Sequence, residues 1–224
     1  VAAVKSGIDY QKQLANVSTL LTGTEAEISA RTAEIGKDIL KVSNDTGVET
    51  ANLTDGMYQV ISAFGDSKDA MSILETSAKA AAAGNATTTD SVNLLSAVMK
   101  GYKDVSAESA QKVADLSFAT VRLGQTSFSE LASSIGKVVP LSSALNVQQE
   151  ELYGVFATLT GVTGSTAEVA TQYKAVLSGL MTPSKDMTAS KVGNGSIWKK
   201  ARKGLQLNAA GERVQAGRRK CPAK

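Results

Sequence analysis

Apolar residues recur along this chain at intervals of three and four, and glycine, proline or small polar residues break the runs. The cleanest stripe is Leu53, Met57, Val60, Ile61 and Phe64, closed by Gly65. Before it come Ile28, Ile35, Ile39, Leu40 and Val42. After it come Ala70, Ile73, Leu74, Ser77, Ala78 and Ala81, closed by Gly84 and Asn85. Val92, Leu95, Val98, Met99 and Tyr102 form the next stripe, and Ala110, Val113, Ala114, Phe118 and Val121 another, ended by Gly124. Farther on, Leu152, Val155, Phe156 and Leu159 share one face, as do Val169, Tyr173, Val176, Leu177 and Leu180. Ile8, Leu14, Val17, Leu20 and Leu21 give a weaker pattern ending near Gly23. No run alternates with period two between hairpin signals, so the pattern predicts helices and no strands.

Start and stop signals bracket these stripes. Thr24-x-x-Glu27, Thr46-x-x-Glu49, Ser127-x-x-Glu130 and Ser165-x-x-Glu168 have the spacing of capping boxes, in which a hydroxyl and a carboxylate satisfy each other's backbone N–H groups. Asp66, the stretch from Thr87 to Asp90, and Ser106 supply further starts, and Asn146 with Gln149 another. Pro140 is expected to end the regular part of the helix opened at Ser127, Gly161 and Gly164 the next, and Pro183 the last. The alanines of AKAAAAG, from Ala78 to Gly84, read simply as good helix formers. Glu27 and Arg31 stand four apart, a pairing worth about 0.2–0.5 kcal/mol. The expected architecture is all-α, with short amphipathic helices in stacked hairpins organised around residues 127–184.

Within that stretch, the order SELA…IGKVVPLSSALNVQQEELYGVFATLTGVTGSTAEVATQYKAVLSGLMTPS resembles the conserved core of phage tail tape measure proteins. Upstream, ETANLTDGMYQVISAFGD from Glu49 to Asp66 resembles the same core, and the likeness covers roughly Thr24 to Ser184. It is a whole-domain pattern of small helices without a catalytic signature. The resemblance implies a structural protein acting in tail length determination and tail assembly, held in the lumen of the virion tail after assembly in the host cytoplasm. A prophage remnant would instead stay in that cytoplasm. It also implies as partners the tail tube, tail-tip or baseplate proteins, tail chaperones and further copies of itself. The chain opens on Val1 and reads as a piece of a longer polypeptide.

Composition changes the picture in two places. Aromatic residues are only 4% of the chain, so the core must be built from Ala, Val, Leu and small polar residues, and modest stability is expected. The net charge of +3 is split unevenly. Residues 1–182 hold 13 basic and 19 acidic side chains, a net of −6, and residues 183–224 hold 11 and 2, a net of +9. Three regions follow: a helical lead-in over 1–23, the helical core over 24–184, and a basic C-terminal tail over 185–224.

The tail carries Trp198, Lys199, Lys200, Arg202 and Lys203, then Arg213, Arg218, Arg219 and Lys220. Two readings compete for it. One is electrostatic binding to nucleic acid or an anionic surface, with the lone Trp stacking on a base. The other is a disordered or frame-shifted end, preferred here because a basic cluster is a nonspecific signal.

The chemistry of known sites is missing. With no histidine the usual general base and zinc ligand are absent, and the single Cys221 cannot form an intrachain disulfide. There is no G-x-S-x-G, and the GNGS at Gly193 to Ser196 lacks the lysine of a phosphate loop. Glu150 and Glu151 are adjacent, so on a helix they diverge by about 100° and cannot act as an acid–base pair. Asp66 and Asp69 sit where a helix dipole favours negative charge. The sequence therefore predicts no enzyme, no metal, no cofactor and no small-molecule substrate. No apolar run reaches the ~18 residues of a membrane span, and the polar faces are rich in Ser and Thr instead of Lys, which argues against a surface-binding helix.

Overall fold

The computed structural model describes the backbone of residues 2–182 and the side chains of residues 7–182. Its elements are α1 (Ala2–Ser18), α2 (Glu25–Thr46), α3 (Thr50–Phe64), α4 (Ala70–Ala83), α5 (Thr88–Tyr102) and α6 (Ala107–Leu123). Then come α7 (Phe128–Ser134), a 3-10 turn (Ile135–Lys137), α8 (Val139–Ala144), α9 (Gln149–Thr163) and α10 (Thr166–Met181). No strand occurs among the described residues, so the fold is all-α, as the periodicity predicts.

The helices stack as hairpins in two layers. One layer runs α1, α3, α5 and then α7 with α8; the other runs α2, α4, α6 and α9. Each helix touches the one before it in its layer, and α1·α2, α3·α4 and α5·α6 pack as hairpins across the layers. α10 closes the far end against α7, α8 and α9. Val17 and Leu21 belong to the same hydrophobic cluster as Ile35, Ile39 and Leu53.

The centre of the stack is α5, not the stretch from Ser127 onward. α5 packs on α3, α4, α6, α7, α8 and the 3-10 turn. It therefore buries a wide face: Val92, Leu95, Val98 and Met99 with Thr88 and Ser91 among them, and Leu94 at the edge. Gly101 lies so close to Val139 of α8 that a Cβ there would collide with its side chain.

Most of the caps form where their spacing places them. The boxes at Thr24–Glu27 and Ser127–Glu130 are complete, and Thr87, Ser106 and Ser165 each accept the N–H three residues on. Other boundaries move. Thr46 is the last residue of α2, with its hydroxyl donating to the Val42 carbonyl at 2.6 Å, because the left-handed Gly47 at φ 72° is what stops the helix. Glu49 is then the N-cap of α3 and makes no side-chain cap bond. Asp69, not Asp66, precedes α4. Pro140 lies in the first turn of α8 instead of ending a helix; a missing N–H costs nothing there. Asn146 is a left-handed linker residue at φ 55°, and the Glu151 carboxylate accepts the Gln148 N–H at 3.1 Å in the role given to Asn146 and Gln149. Gly161 lies inside α9, which ends at Thr163 before the left-handed Gly164.

Three packing expectations also change. Ala78, Ala80 and Ala81 are buried where α4 lies among α3, α5 and α6, so the alanine run is a helix contact and not only a helix former. Leu40 and Val176 were expected on buried stripes and are 46% and 57% exposed. Arg31 does not pair with Glu27, whose carboxylate is held by Thr24; it bridges Glu34 and, across 35 residues of chain, Asp66.

Candidate functional site

Several carboxylates are occupied as structural groups. Asp66 receives Arg31 Nε at 2.9 Å and Nη2 at 2.7 Å, and Glu34 receives Nη1 at 2.7 Å. These two acids hold the guanidinium pKa above its ordinary value. Glu150 and Glu151 do separate work, as their divergence on a helix requires. Glu150 bridges to Lys112 of α6 at 2.7 Å, and Glu151 caps α9. Partial burial pushes the Glu150 carboxyl up, but the hydrogen bond from Lys112, a backbone hydrogen bond and the Lys112 charge together outweigh it and hold the group below its usual range. Among the described residues no group of three or more His, Cys, Asp or Glu side chains comes together.

The densest gathering of buried polar side chains lies between α6 and α9. These helices run parallel, because contacts advance along both together. Lys112 meets Glu150, Ser117 meets Tyr153, and Gly124 lies against Ala157 and Thr160. The Ser117 hydroxyl and the Tyr153 phenol are 3.1 Å apart, and Ser117 also donates to the Val113 carbonyl at 2.8 Å. Thr120 reaches the carbonyl of Tyr153 at 3.3 Å. Ser109 and Gln149 extend the two stripes, and Thr160 donates to the Phe156 carbonyl. Ser109 Oγ and Gln149 Oε1 are buried without a hydrogen-bond partner.

The same character continues around α10. Thr166 bonds Thr126 at 2.6 Å and Glu130 at 3.1 Å, which ties the start of α10 to that of α7. The Ser142 hydroxyl of α8 stands beside the Tyr173 phenol of α10, yet makes no hydrogen bond of acceptable geometry. Tyr102 Oη is another buried orphan. Burial pushes the phenols of Tyr102, Tyr153 and Tyr173 above their usual pKa; Ser117 opposes this at Tyr153, and Ser142 at Tyr173. These groups stay neutral near pH 7, and Tyr153 links α9 to α6 through Ser117. Without an adjacent base they do not activate a nucleophile.

The sequence pattern missed this joint. It assigned α6 the stripe Ala110, Val113, Ala114, Phe118 and Val121, whereas the buried side also includes Ser109, Ser117 and Thr120. The available signal was the register of those three hydroxyls, eight and three residues apart on one helical face.

Among the described residues, α1 borders two surface grooves. One of about 490 Å³, between α1 and α3, is polar and includes Gln13, Asn16, Asp55, Tyr58 and Gln59. The other, of about 600 Å³, between α1 and α2, is more apolar and includes Leu14, Ala15, Ile28 and Ala33. At the shared C-terminal end of α6 and α9, Leu123 and Val162 are 70% and 81% exposed. No helix among the described residues is long and apolar enough to cross a membrane. The basic residues singled out for anion binding, Trp198, Lys199, Lys200, Arg202, Lys203, Arg213, Arg218, Arg219 and Lys220, lie outside the described residues.

Comparison with curated proteins and with solved structures gives no match. A family model does match: the one described as phage-related minor tail protein, over residues 36–216. That span runs from the middle of α2 through α10 and on through most of the basic segment; Trp198 falls inside it, and Arg218, Arg219 and Lys220 fall beyond.

Proposed function

We infer, from the premise that this chain belongs to the phage-related minor tail protein family, that it is the packed helical module of a tape measure protein. The chain is a structural tail component. In this reading it acts in tail length determination and tail assembly from within the tail lumen. The observation that supports the reading is the family match falling on a stack of short helices whose carboxylates and hydroxyls are engaged with one another.

Helix geometry narrows the role. At about 1.5 Å of rise per residue, the 22 residues of α2 reach only about 33 Å. The folded stack is therefore an anchor and not itself the ruler, and length is measured by other parts of the polypeptide. The partners proposed for it are tail-tip or baseplate proteins and the tail tube, with tail chaperones and further copies acting during assembly. Leu123 and Val162, uncovered at one end of the α6–α9 pair, supply apolar surface for such a contact.

Deleting residues 36–182 in frame from the parent gene, with tails counted and measured by electron microscopy, tests this. An anchor predicts that assembled tails are lost. A ruler segment predicts intact tails shorter by about 1.5 Å per residue removed, if the measured stretch is helical. Tails of normal number and length would overturn both.

A further inference from the structure

We propose that the α9–α10 hairpin is a detachable unit, which opens from the rest of the stack as one piece below global unfolding. Each of its attachments places hydroxyls or amides beside the apolar side chains. α9 meets α6 through Ser109, Ser117, Thr120, Gln149 and Tyr153, with the exposed Lys112–Glu150 pair at one edge. α10 meets α7 through Thr166 and Glu130, and α8 beside Ser142 and Tyr173.

The contrast lies in the α3–α5 interior. There Leu53, Met57, Val60, Ile73, Leu74, Leu95 and Val98 are fully buried and apolar. Separating those helices frees the orphaned Ser91 Oγ and Tyr102 Oη of α5 as well, but exposes far more hydrocarbon to water. Separating α9 and α10 lets water bond to Ser109 Oγ, Gln149 Oε1 and Ser142 Oγ, which have no partner while the joint is closed. The hairpin is also the last described pair of helices, joined to α8 by a single short linker at 145–148, so its departure breaks no other connection among the described residues. What holds it is a limited apolar set, Leu152, Tyr153, Phe156, Ala157, Val169, Ala170 and Leu177. Cooperative units that open separately take this form: a supersecondary pair with a limited apolar interface.

Native-state hydrogen exchange on the full chain, in increasing low concentrations of urea, tests the proposal. Amides of Leu152, Phe156, Val169 and Leu177 should exchange through one shared opening, at least about tenfold faster than those of Leu53, Val60, Leu95 and Val98 and with a weaker dependence on urea. Val60→Ala provides the second measurement, because it destabilises the α3–α5 interior without touching the hairpin joint. It should accelerate exchange in α3–α5 and leave α9–α10 unchanged. A single rate class with one urea dependence, or equal acceleration of both sets by Val60→Ala, would overturn the proposal.

Discussion

Truncating Phe128 to alanine probes the packing of the stack at its tightest aromatic contact. Phe128 opens α7 and is fully buried. Its ring stacks on Phe118 of α6 with centroids 5.2 Å apart and planes 26° from parallel. Its other side lies against the end of α4, where a Cβ placed on Gly84 would sit 2.7 Å from the Phe128 Cβ and Cγ. The backbone is thus held on two sides and cannot collapse into the space a lost ring would leave. Phe→Ala at such a site costs about 3–5 kcal/mol, transfer and cavity terms together. About 0.5–1.5 kcal/mol of that is the aromatic pair itself. A domain of this size has about 5–15 kcal/mol in total. At roughly 2–4 °C per kcal/mol, Tm should fall by about 6–20 °C. Urea melts followed by circular dichroism should give the same loss with an unchanged m-value. Phe118→Ala, at a partly buried ring, should cost less, and the double mutant should recover a coupling of about 1 kcal/mol. A loss below about 1 kcal/mol for Phe128→Ala would show that the α4–α6–α7 corner is not close-packed, and the two-layer arrangement would need revision.

Two further outcomes follow from the caps and the phenols. Ser127→Ala removes the oxygen that accepts the Glu130 N–H at 3.2 Å, and should cost about 0.5–2 kcal/mol in chemical denaturation, with Ser127→Thr restoring most of it. Tyr10, Tyr102, Tyr153 and Tyr173 all have phenols raised by burial above the ordinary value of 10.0, so their contribution to stability is complete below that pH. It is lost as pH rises from there toward the folded-state values, because the unfolded phenols ionise first. Urea midpoints should fall on moving from about pH 9 to about pH 11, and Tyr153→Phe should make that fall shallower; an identical slope in the variant would refute the assignment.

Local chemistry alone determined a good deal of this protein. The period of the apolar residues gave helices and no strands, because a helix buries one stripe and needs little else to be recognised. Thr24, Thr87, Ser106, Ser127 and Ser165 announced helix starts for a similar reason: a cap joins residues three apart and needs no distant partner. The likeness to tail tape measure cores lay in the same stretch of short helices, and the family match falls across it.

Contacts between distant residues decided the rest. A one-dimensional pattern scores Asp66 as a helix start, but its carboxylate is claimed by Arg31, 35 positions earlier. α5 became the centre because both layers converge on it, and the evidence for that in sequence, two apolar residues side by side at Leu94 and Leu95, has no meaning until the neighbours are placed. Ser117 and Tyr153 are ordinary surface-compatible residues in isolation. They form a buried joint only because α6 and α9 lie parallel and bring together two positions 36 apart in the chain, and burial makes a hydroxyl seek a partner that water would otherwise supply.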